Sequence, residues 1–307
     1  MQYKRVTEKP VINGKIKSSP EHFIVNEIPL YPLSGKGEHH YYTLTKINMG
    51  TEEAIRALSK RFEISIRDIG YAGRKDKVAS TTQQLSLPSK VEEFETNELS
   101  LKYLGAHDNK IRLGHLKGNE FDIKVKTSEK IELEHINEIK KYILDFGMPN
   151  YFGDQRFSKN NFIIGERIFN GEKMKFSKSK RLFYLSVFQS YVFNVWLEKR
   201  VQTNSLINPI EGDLTLLNGS VVSGPIFGTK MKHPTGKALE LEDLIRNEFK
   251  ITDEKLESNK LKGNRRAARV LLDDIQIGLW EEGLSFKFFL PKGSYATTLL
   301  REFMNIE

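Results

Sequence analysis

The segment "EFDIKVK", residues 120–126, alternates apolar and charged side chains along most of its length. Its apolar positions are Phe121, Ile123 and Val125. Because successive side chains of a strand point to opposite faces, this alternation predicts a strand in a sheet with one buried and one solvent-exposed face.

Weaker alternation of the same kind predicts further strands at 22–28, 41–47, 83–88 and 284–291. Apolar residues repeat every three or four positions in three other stretches, which predicts helices at 51–62, 133–146 and 181–200. Thr51 is expected to be the N-cap of the first helix. The sequence therefore predicts an α+β fold with a mixed, mainly antiparallel sheet.

Residues 154–262 differ in composition from the sequence on either side. This region contains a lysine-rich stretch at 171–181 and a turn-rich stretch at 208–228, and strand-like sequence returns after it. We expect 154–262 to form a smaller α/β domain inserted into a discontinuous domain made of 1–153 and 263–307.

The chain is basic: Lys and Arg outnumber Asp and Glu by 48 to 40, and the isoelectric point is near 9.3. The formal net charge of +8 favours a partner that carries phosphates, although many basic proteins bind no nucleic acid. The sequence has no cysteine, which excludes disulfides and thiolate catalysis. It shows neither a signal-peptide core nor an apolar run of membrane-spanning length, so we expect a cytoplasmic protein without membrane association.

Several common chemistries lack their motifs. The chain has no G-x-x-x-x-G-K-[ST] loop and no H-E-x-x-H motif, and "SGKGEHH" (34–40) lacks the third glycine of a dinucleotide-binding loop. The 7 histidines include no pair with metal-ligand spacing. Nucleotide hydrolysis, nicotinamide redox chemistry and zinc-dependent proteolysis are therefore unsupported.

The segment "GYAGRKDKVASTTQQLSLP" (70–88) places one carboxylate in a glycine-rich turn ahead of a strand. Its glycines permit tight turns and close approach of another backbone. Lys75 and Lys77 are expected to favour the ionised form of the carboxylate between them, and an ionised Asp76 can act as a nucleophile or a base. Alternatively, Asp76 caps the following turn while both lysines lie in solvent.

Five segments, in the same order along the chain, resemble the TruD family of tRNA pseudouridine synthases. They are "KSSPEHFIVNEIP" (17–29), "GYAGRKDKVASTTQ" (70–83), "IRLGHLKGNEFDI" (111–123), "PNYFGDQRF" (149–157) and "LPKGSYATTLLREFMN" (290–305). The family's glycine-x-Lys-Asp signature is matched by Gly73, Lys75 and Asp76, and its G-N-x-F signature is matched by residues 118–121.

The resemblance implies that a uridine of tRNA is isomerised to pseudouridine, with the base detached at N1, rotated and rejoined to the ribose through C5. It implies uridine 13 as the usual target, and it implies no metal, nucleotide cofactor, redox partner or obligate protein partner. The target uridine must leave its stack, so a pocket is needed that offsets unstacking with aromatic contacts and hydrogen bonds. The inserted region would be the family's own TRUD domain.

The resemblance makes Asp76 the catalytic carboxylate, which would attack C1′, take a proton from C2′ or attack the base. It assigns stacking on the base to Phe121 and a hydrogen bond at the same site to Asn119. Lys17 receives an electrostatic role near Asp76 or a phosphate, and Phe23 is expected to line the uridine pocket. Phe121 and Phe23 would also fit plain core positions of a strand.

Three further residues follow from the same resemblance. Tyr295 stands where family members commonly have Phe and is expected to form an aromatic wall of the substrate site. Arg156 and Lys75 are weaker candidates for contacts with RNA. The basic run 173–181 fits either a tRNA-backbone contact or a solvated loop.

Two other functions fit parts of the pattern. A catalytically inactive tRNA-binding or folding factor on the same scaffold would lack the carboxylate, whereas Asp76 is present. A different RNA-directed enzyme, such as a methyltransferase, would need a glycine-rich cofactor loop, which the chain lacks. We therefore expect a tRNA pseudouridine synthase.

Overall fold

The computed structural model describes residues 3–7 and 12–306, except the side chains of residues 158 and 159. Its strands are β1 (Asn13–Gly14), β2 (Phe23–Pro29), β3 (His39–Ile47), β4 (Gly70–Tyr71), β5 (Ser80–Leu87), β6 (Phe94–Glu95), β7 (Leu99–His107), β8 (Leu116–Lys126), β9 (Met148–Pro149), β10 (Thr215–Leu216), β11 (Val221–Ile226), β12 (Asn264–Ala267), β13 (Arg269–Val270), β14 (Ile275–Trp280), β15 (Gly283–Pro291) and β16 (Asn305–Ile306). Its α-helices are α1 (Thr51–Phe62), α2 (Leu133–Phe146), α3 (Asn161–Phe169), α4 (Lys178–Gln202), α5 (Gly236–Glu248), α6 (Asp253–Ser258) and α7 (Ala296–Phe303).

The chain divides into two compact units. The sheet unit comprises 12–140, Leu272–Gly293 and 304–306, and the helical unit comprises 3–7, Lys141–Leu271 and Ser294–Phe303. Region 154–262, expected to be an insertion, lies entirely in the helical unit. The described parts of 1–153 and 263–307 contribute to both units, and within the helical unit β9 pairs with β13.

The sheet unit is built on one large sheet with the strand order β14-β15-β8-β2-β5-β3-β7-β6, and β4 pairs with β5 beside this path. Neighbouring strands are antiparallel except β2 and β5, which are parallel. The expected α+β fold with a mixed, mainly antiparallel sheet is confirmed. The strand expected at 120–126 forms the second half of β8.

The strand register brings polar side chains onto one face of this sheet. Glu27 of β2 lies opposite Asn119 of β8, and Lys46 of β3 lies opposite Thr81 of β5. Thr81 in turn lies opposite Val25 of β2. Because residues directly opposite each other share a face, these side chains line the same side of the sheet.

Helix α1 has the bounds expected from its periodicity, and it packs on the β3, β5 and β7 part of the sheet. Ala54, Ile55 and Leu58 are buried in one cluster with apolar residues of these strands. Gly50, not Thr51, is the N-cap of the helix. The expected cap is therefore wrong by one position, because the Thr51 hydroxyl is engaged elsewhere.

The helical unit is organised around α4, which was expected to be a core helix. Leu185, Phe188, Val192 and Trp196 are almost completely buried in the main apolar cluster of this unit. Gly165 of α3 lies so close to α4 that an added Cβ would come within 2.2 Å of a main-chain oxygen. Glycine is thus required where the two helices cross.

No helix within residues 3–7 and 12–306 combines the length and the apolar character needed to cross a membrane.

Candidate active site

Asp76 lies in the loop between β4 and β5, and side chains from the sheet and from α1 hold the main chain of this loop. Gln83 Nε2 donates a hydrogen bond to the Gly73 carbonyl at 3.1 Å. The Lys75 backbone N–H donates to Thr51 Oγ1 at 2.8 Å, and Thr51 Oγ1 donates to Gln83 Oε1 at 3.2 Å. Thr51 therefore anchors the loop instead of capping its helix.

Lys46 holds the same loop through a charged group. Its side chain is fully buried on β3, and Nζ donates to the Asp76 carbonyl at 2.9 Å and to the Met49 carbonyl at 2.6 Å. Burial lowers the pKa of Lys46 to about 8. The negative charges of Asp76 and Glu53 oppose this shift of the pKa, and the positive charge of Lys75 adds to it.

The carboxylate of Asp76 pairs with Lys17, to which the resemblance gives an electrostatic role near Asp76 or a phosphate. The distance from Lys17 Nζ to Asp76 Oδ2 is 2.7 Å. The side chain of Asp76 is 34% exposed and that of Lys17 is 18% exposed, so solvent reaches the ion pair. Lys17 itself has a φ of 58°, in the left-handed region that non-glycine residues seldom adopt. Unusual backbone angles of this kind are enriched at functional sites.

The two lysines that flank Asp76 in sequence pair with glutamates. Lys75 Nζ lies 2.5 Å from Glu27 Oε2, and these side chains are only 5% and 1% exposed. Burial raises the pKa of Glu27, and the charge of Lys75 opposes that rise. Lys77 Nζ lies 3.4 Å from Glu53 Oε2. Lys75, expected to contact RNA, presents almost no surface to a phosphate.

Aromatic rings line the sheet face next to the ion pair. Lys17 Nζ lies 4.4 Å from the ring centroid of Phe23, which meets Phe121 edge to face at 6.3 Å. Phe121 is half-buried and stacks on Phe288 at 5.3 Å. Phe23 is only 1% exposed, so it occupies a core position from which it supports Lys17 and Phe121.

Asn119 shares this face with Phe121 and contains an unsatisfied acceptor. Its buried Oδ1 has no hydrogen-bond partner among the residues that the structure describes. Since buried polar atoms are nearly always paired, an acceptor of this kind suits a donor on a bound molecule.

The charges of the site come from three lysines and two acids. Lys46, Lys75 and Glu27 are buried, whereas the ion pair of Asp76 with Lys17 is partly exposed. Asp76 is thus a carboxylate that a substrate can reach and that can act as a nucleophile or a base. No group of three or more metal-ligating side chains occurs within the described ranges.

Two of the expected site residues belong to the helical unit. The ring centroid of Tyr295 lies 6.2 Å from that of Phe152. A Cβ atom added at Gly153 would lie 2.8 Å from Cδ1 of Tyr295. Arg156 donates through Nε to Ser190 Oγ of α4 at 2.7 Å. Arg156, expected to contact a phosphate, thus donates a hydrogen bond within its own unit.

Sequence reasoning missed Lys46 and Glu27 as parts of the site. Lys46 follows Tyr42 and Leu44 in the apolar phase of β3, and Glu27 follows Val25 in the apolar phase of β2. A charged residue in the apolar phase of an alternating strand is the signal that would have found both.

Comparison with known proteins identifies the family. The family model described as tRNA pseudouridine synthase D (TruD) matches residues 2–180 and 217–303. The chain belongs to the TruD family. The resemblance found in the sequence is thereby confirmed.

Relatives of this TruD chain match it over almost its whole length. The tRNA pseudouridine synthase D of a Nitratiruptor species is 35% identical over a gapped alignment 343 positions long, which covers 95% of this chain and 94% of the relative. That of Thermus thermophilus is 33% identical over a gapped alignment 325 positions long, which covers 97% of this chain and 90% of the relative. A solved structure assigned to TruD, from Methanosarcina mazei, matches 99% of this chain and 96% of its own with a TM-score of 0.75. At 22% identity, this last likeness shows a shared fold.

Proposed function

We propose that this protein isomerises uridine to pseudouridine in tRNA, with Asp76 as the catalytic carboxylate and no cofactor. The observation that carries the proposal is the accessible ion pair of Asp76 with Lys17, in a member of the TruD family. The Lys17 ammonium lies over Phe23, whose ring contacts Phe121. Uridine 13 is the proposed target, on the strength of the family resemblance. A tRNA substrate also supports a cytoplasmic location.

The proposed reaction rearranges bonds within one nucleotide. The N1–C1′ bond breaks, C1′ joins C5, the hydrogen on C5 leaves as a proton and N1 gains a proton. Asp76 starts this sequence by attacking C1′, by taking a proton from C2′ or by attacking the base, and each route needs an ionised carboxylate with a reachable oxygen. The support for this role is the 34% exposure of Asp76 together with the Lys17 ammonium at Oδ2.

We propose that Phe121 and Asn119 hold the extruded base. Phe121 is half-buried, so part of its ring can stack on uracil, and such stacking offsets the loss of the base's neighbours in RNA. The N3–H group of uracil is a donor suited to Asn119 Oδ1, which has no partner among the described residues. Phe23 supports this arrangement through its contacts with Lys17 and Phe121.

Roles for the helical unit are proposed from the resemblance. Tyr295 is proposed as an aromatic wall for the substrate, and 154–262 is proposed to be the TRUD domain. For Arg156, the hydrogen bond to Ser190 supports a role inside the unit, and contact with RNA is the other outcome of the test described in the Discussion.

Incubation of the purified protein with unmodified tRNA carrying tritium at C5 of uridine tests the proposal. We expect tritium release, and we expect reverse transcription to stop at a single new pseudouridine after carbodiimide treatment. Binding of tRNA without tritium release would instead identify an inactive tRNA-binding factor. Such a result would overturn the proposed function.

A further inference from the structure

Lys46 is a buried cation without a buried anion to neutralise it. Its side chain has 0% exposure, and within the part of the chain that the structure describes it forms no ion pair with a carboxylate. Both of its hydrogen-bond acceptors are neutral main-chain carbonyls. Removing an ammonium from water is costly, so a neutral donor could make the same hydrogen bonds with a smaller desolvation cost. The position of this charge therefore calls for a reason besides packing.

Through these two acceptors, Lys46 contacts the main chain of the proposed catalytic residue and of the turn before α1. One is the main-chain carbonyl of Asp76, at 2.9 Å from Nζ. The other is the carbonyl of Met49, at 2.6 Å, which belongs to the turn just before Thr51. Fixing the carbonyl of a residue restricts its ψ angle, and this in turn restricts the direction of its side chain.

We propose that Lys46 is a positioning residue for Asp76: its ammonium fixes the main chain of the catalytic loop and supplies a positive charge near the carboxylate. The inference rests on the proposed function, because it concerns the same carboxylate. Lys17 donates a hydrogen bond to the side-chain carboxylate of Asp76, and Lys46 donates one to the main-chain carbonyl of Asp76.

This role predicts a pH dependence. Because burial lowers the pKa of Lys46 to about 8, the side chain loses its charge where ordinary lysines keep theirs. The charged groups that act on it are Asp76 and Glu53, which raise its pKa, and Lys75, which lowers it. Loss of the proton removes the nearby charge and weakens both hydrogen bonds. Turnover should therefore fall as pH rises through about 8.

The contribution of Lys46 to folding stability changes with pH in the direction opposite to turnover. Its pKa in the folded protein, about 8, lies below the ordinary value of 10.5. Between these two values the unfolded chain binds more protons than the folded one, so this contribution to the free energy of unfolding increases with pH. A fall in turnover without a matching loss of stability would thus separate loss of positioning from unfolding.

The test compares Lys46→Met with Tyr42→Phe. Tyr42 is buried on the same strand, and its hydroxyl bonds to the main chain of Val91. The single-turnover rate at saturating tRNA is measured between about pH 6 and 9.5, together with tRNA affinity and denaturant unfolding. The same tRNA is used throughout, so that titration of the substrate itself cancels in the comparison.

For Lys46→Met we expect a rate about 10 to 100 times lower at pH 7, which is the factor for one lost hydrogen bond to a charged group. Its tRNA affinity should stay within about 3-fold of that of the unaltered protein, and the fall in rate near pH 8 should disappear. Tyr42→Phe should lose stability while keeping the rate and its pH profile.

A Lys46→Met variant that keeps the rate, or that keeps the fall near pH 8, overturns the inference. If this variant does not fold, Lys46→Arg should lose the fall near pH 8, because arginine stays charged there. A flat profile up to about pH 9 in the unaltered protein would also overturn it. Failure of the unaltered protein to form pseudouridine overturns the proposed function, whereas an active protein that is insensitive to Lys46 overturns this inference alone.

Discussion

The loop around Asp76 and the segment 152–157 both carry charged residues of the family's motifs, yet they use their charges differently. In the loop, buried side chains hold the main chain and one carboxylate stays 34% exposed. In the helical unit, Arg156 of the segment donates to Ser190 Oγ at 2.7 Å. Arg266, which lies outside the segment, is 3.9 Å from the ring centroid of Phe152 and donates to the Asn150 carbonyl at 3.0 Å. Burial lowers the pKa of Arg266 to about 10. In the loop, the cations thus hold a partly exposed carboxylate, whereas around 152–157 the arginines contact groups of their own unit.

The largest expected effect separates the aspartates of the two regions. Asp76→Asn removes the ionisable group and should lower turnover by at least roughly 1,000-fold, with tRNA affinity kept within about 3-fold. Asp154→Asn is the matched variant, because Asp154 is 53% exposed and lies 3.4 Å from Arg301. It should keep turnover within about 3-fold. Single-turnover tritium release and a binding titration measure both effects, and a fully active Asp76→Asn variant would refute the proposed mechanism.

The aromatic residues give the next contrast. Phe121→Ala removes the proposed stacking surface and should lower turnover about 10- to 100-fold. Phe152→Ala should lower the free energy of unfolding by about 2–4 kcal/mol, because Phe152 packs against Arg266 and Phe193. Rates per folded molecule and denaturant unfolding separate the two outcomes. Unfolding of Phe121→Ala at ordinary temperature would make Phe121 a core residue instead.

The strands could be predicted because alternation is a local property of the sequence, and the family could be predicted because its motifs occur in order along the chain. The expected strands at 22–28, 41–47 and 284–291 appear as β2, β3 and β15. These patterns depend only on neighbouring residues, and the sheet face that they bury is the one that the site uses.

Local alternation does not predict the ion pairs, and only the family resemblance gave Lys17 a role near Asp76 or a phosphate. Lys17 and Asp76 are 59 residues apart in sequence, and Lys75 and Glu27 are 48 apart. Only the register of β2 beside β5 and β8 brings such residues together. The sequence predicts that the adjacent lysines favour the ionised form of Asp76, but neighbouring side chains of a chain commonly point in different directions. The domain boundaries depend on contacts that the sequence pattern does not encode.

A variant of Arg156 tests whether this residue stabilises the helical unit or contacts RNA. Arg156→Ala removes the hydrogen bond to Ser190 and should lower the free energy of unfolding by about 1–3 kcal/mol. The salt dependence of tRNA binding should stay unchanged, whereas loss of one phosphate contact would reduce its slope by roughly 0.9. Lys180→Ala is a useful comparison because Lys180 is exposed in the basic run 173–181. A reduced slope for Arg156→Ala would make that residue an RNA contact.

The smallest expected effect concerns a buried acid in the helical unit, Glu302 of α7. Burial raises its pKa to about 7, although Arg5 and Arg301 oppose the shift and the Val6 N–H donates to Oε2 at 3.0 Å. Between the ordinary value of 4.5 and about 7, the folded protein binds more protons than the unfolded chain. This contribution to the free energy of unfolding therefore falls as pH rises through that range.

Glu302→Gln cannot titrate, so its unfolding free energy should fall less than that of the unaltered protein between about pH 6 and 8. The difference between the two proteins should shift by roughly 1–2 kcal/mol in favour of the variant over this range. Glu172→Gln is the control, because a hydrogen bond from Arg167 lowers the pKa of Glu172 and it titrates below this range in both states. Denaturant unfolding at several pH values measures the slopes. Turnover per folded molecule should not change, in contrast to Lys46→Met, because Glu302 stabilises a unit and does not position Asp76. An unchanged slope in Glu302→Gln would show that Glu302 is ionised in the folded protein and that its charge is compensated by Arg5 and Arg301.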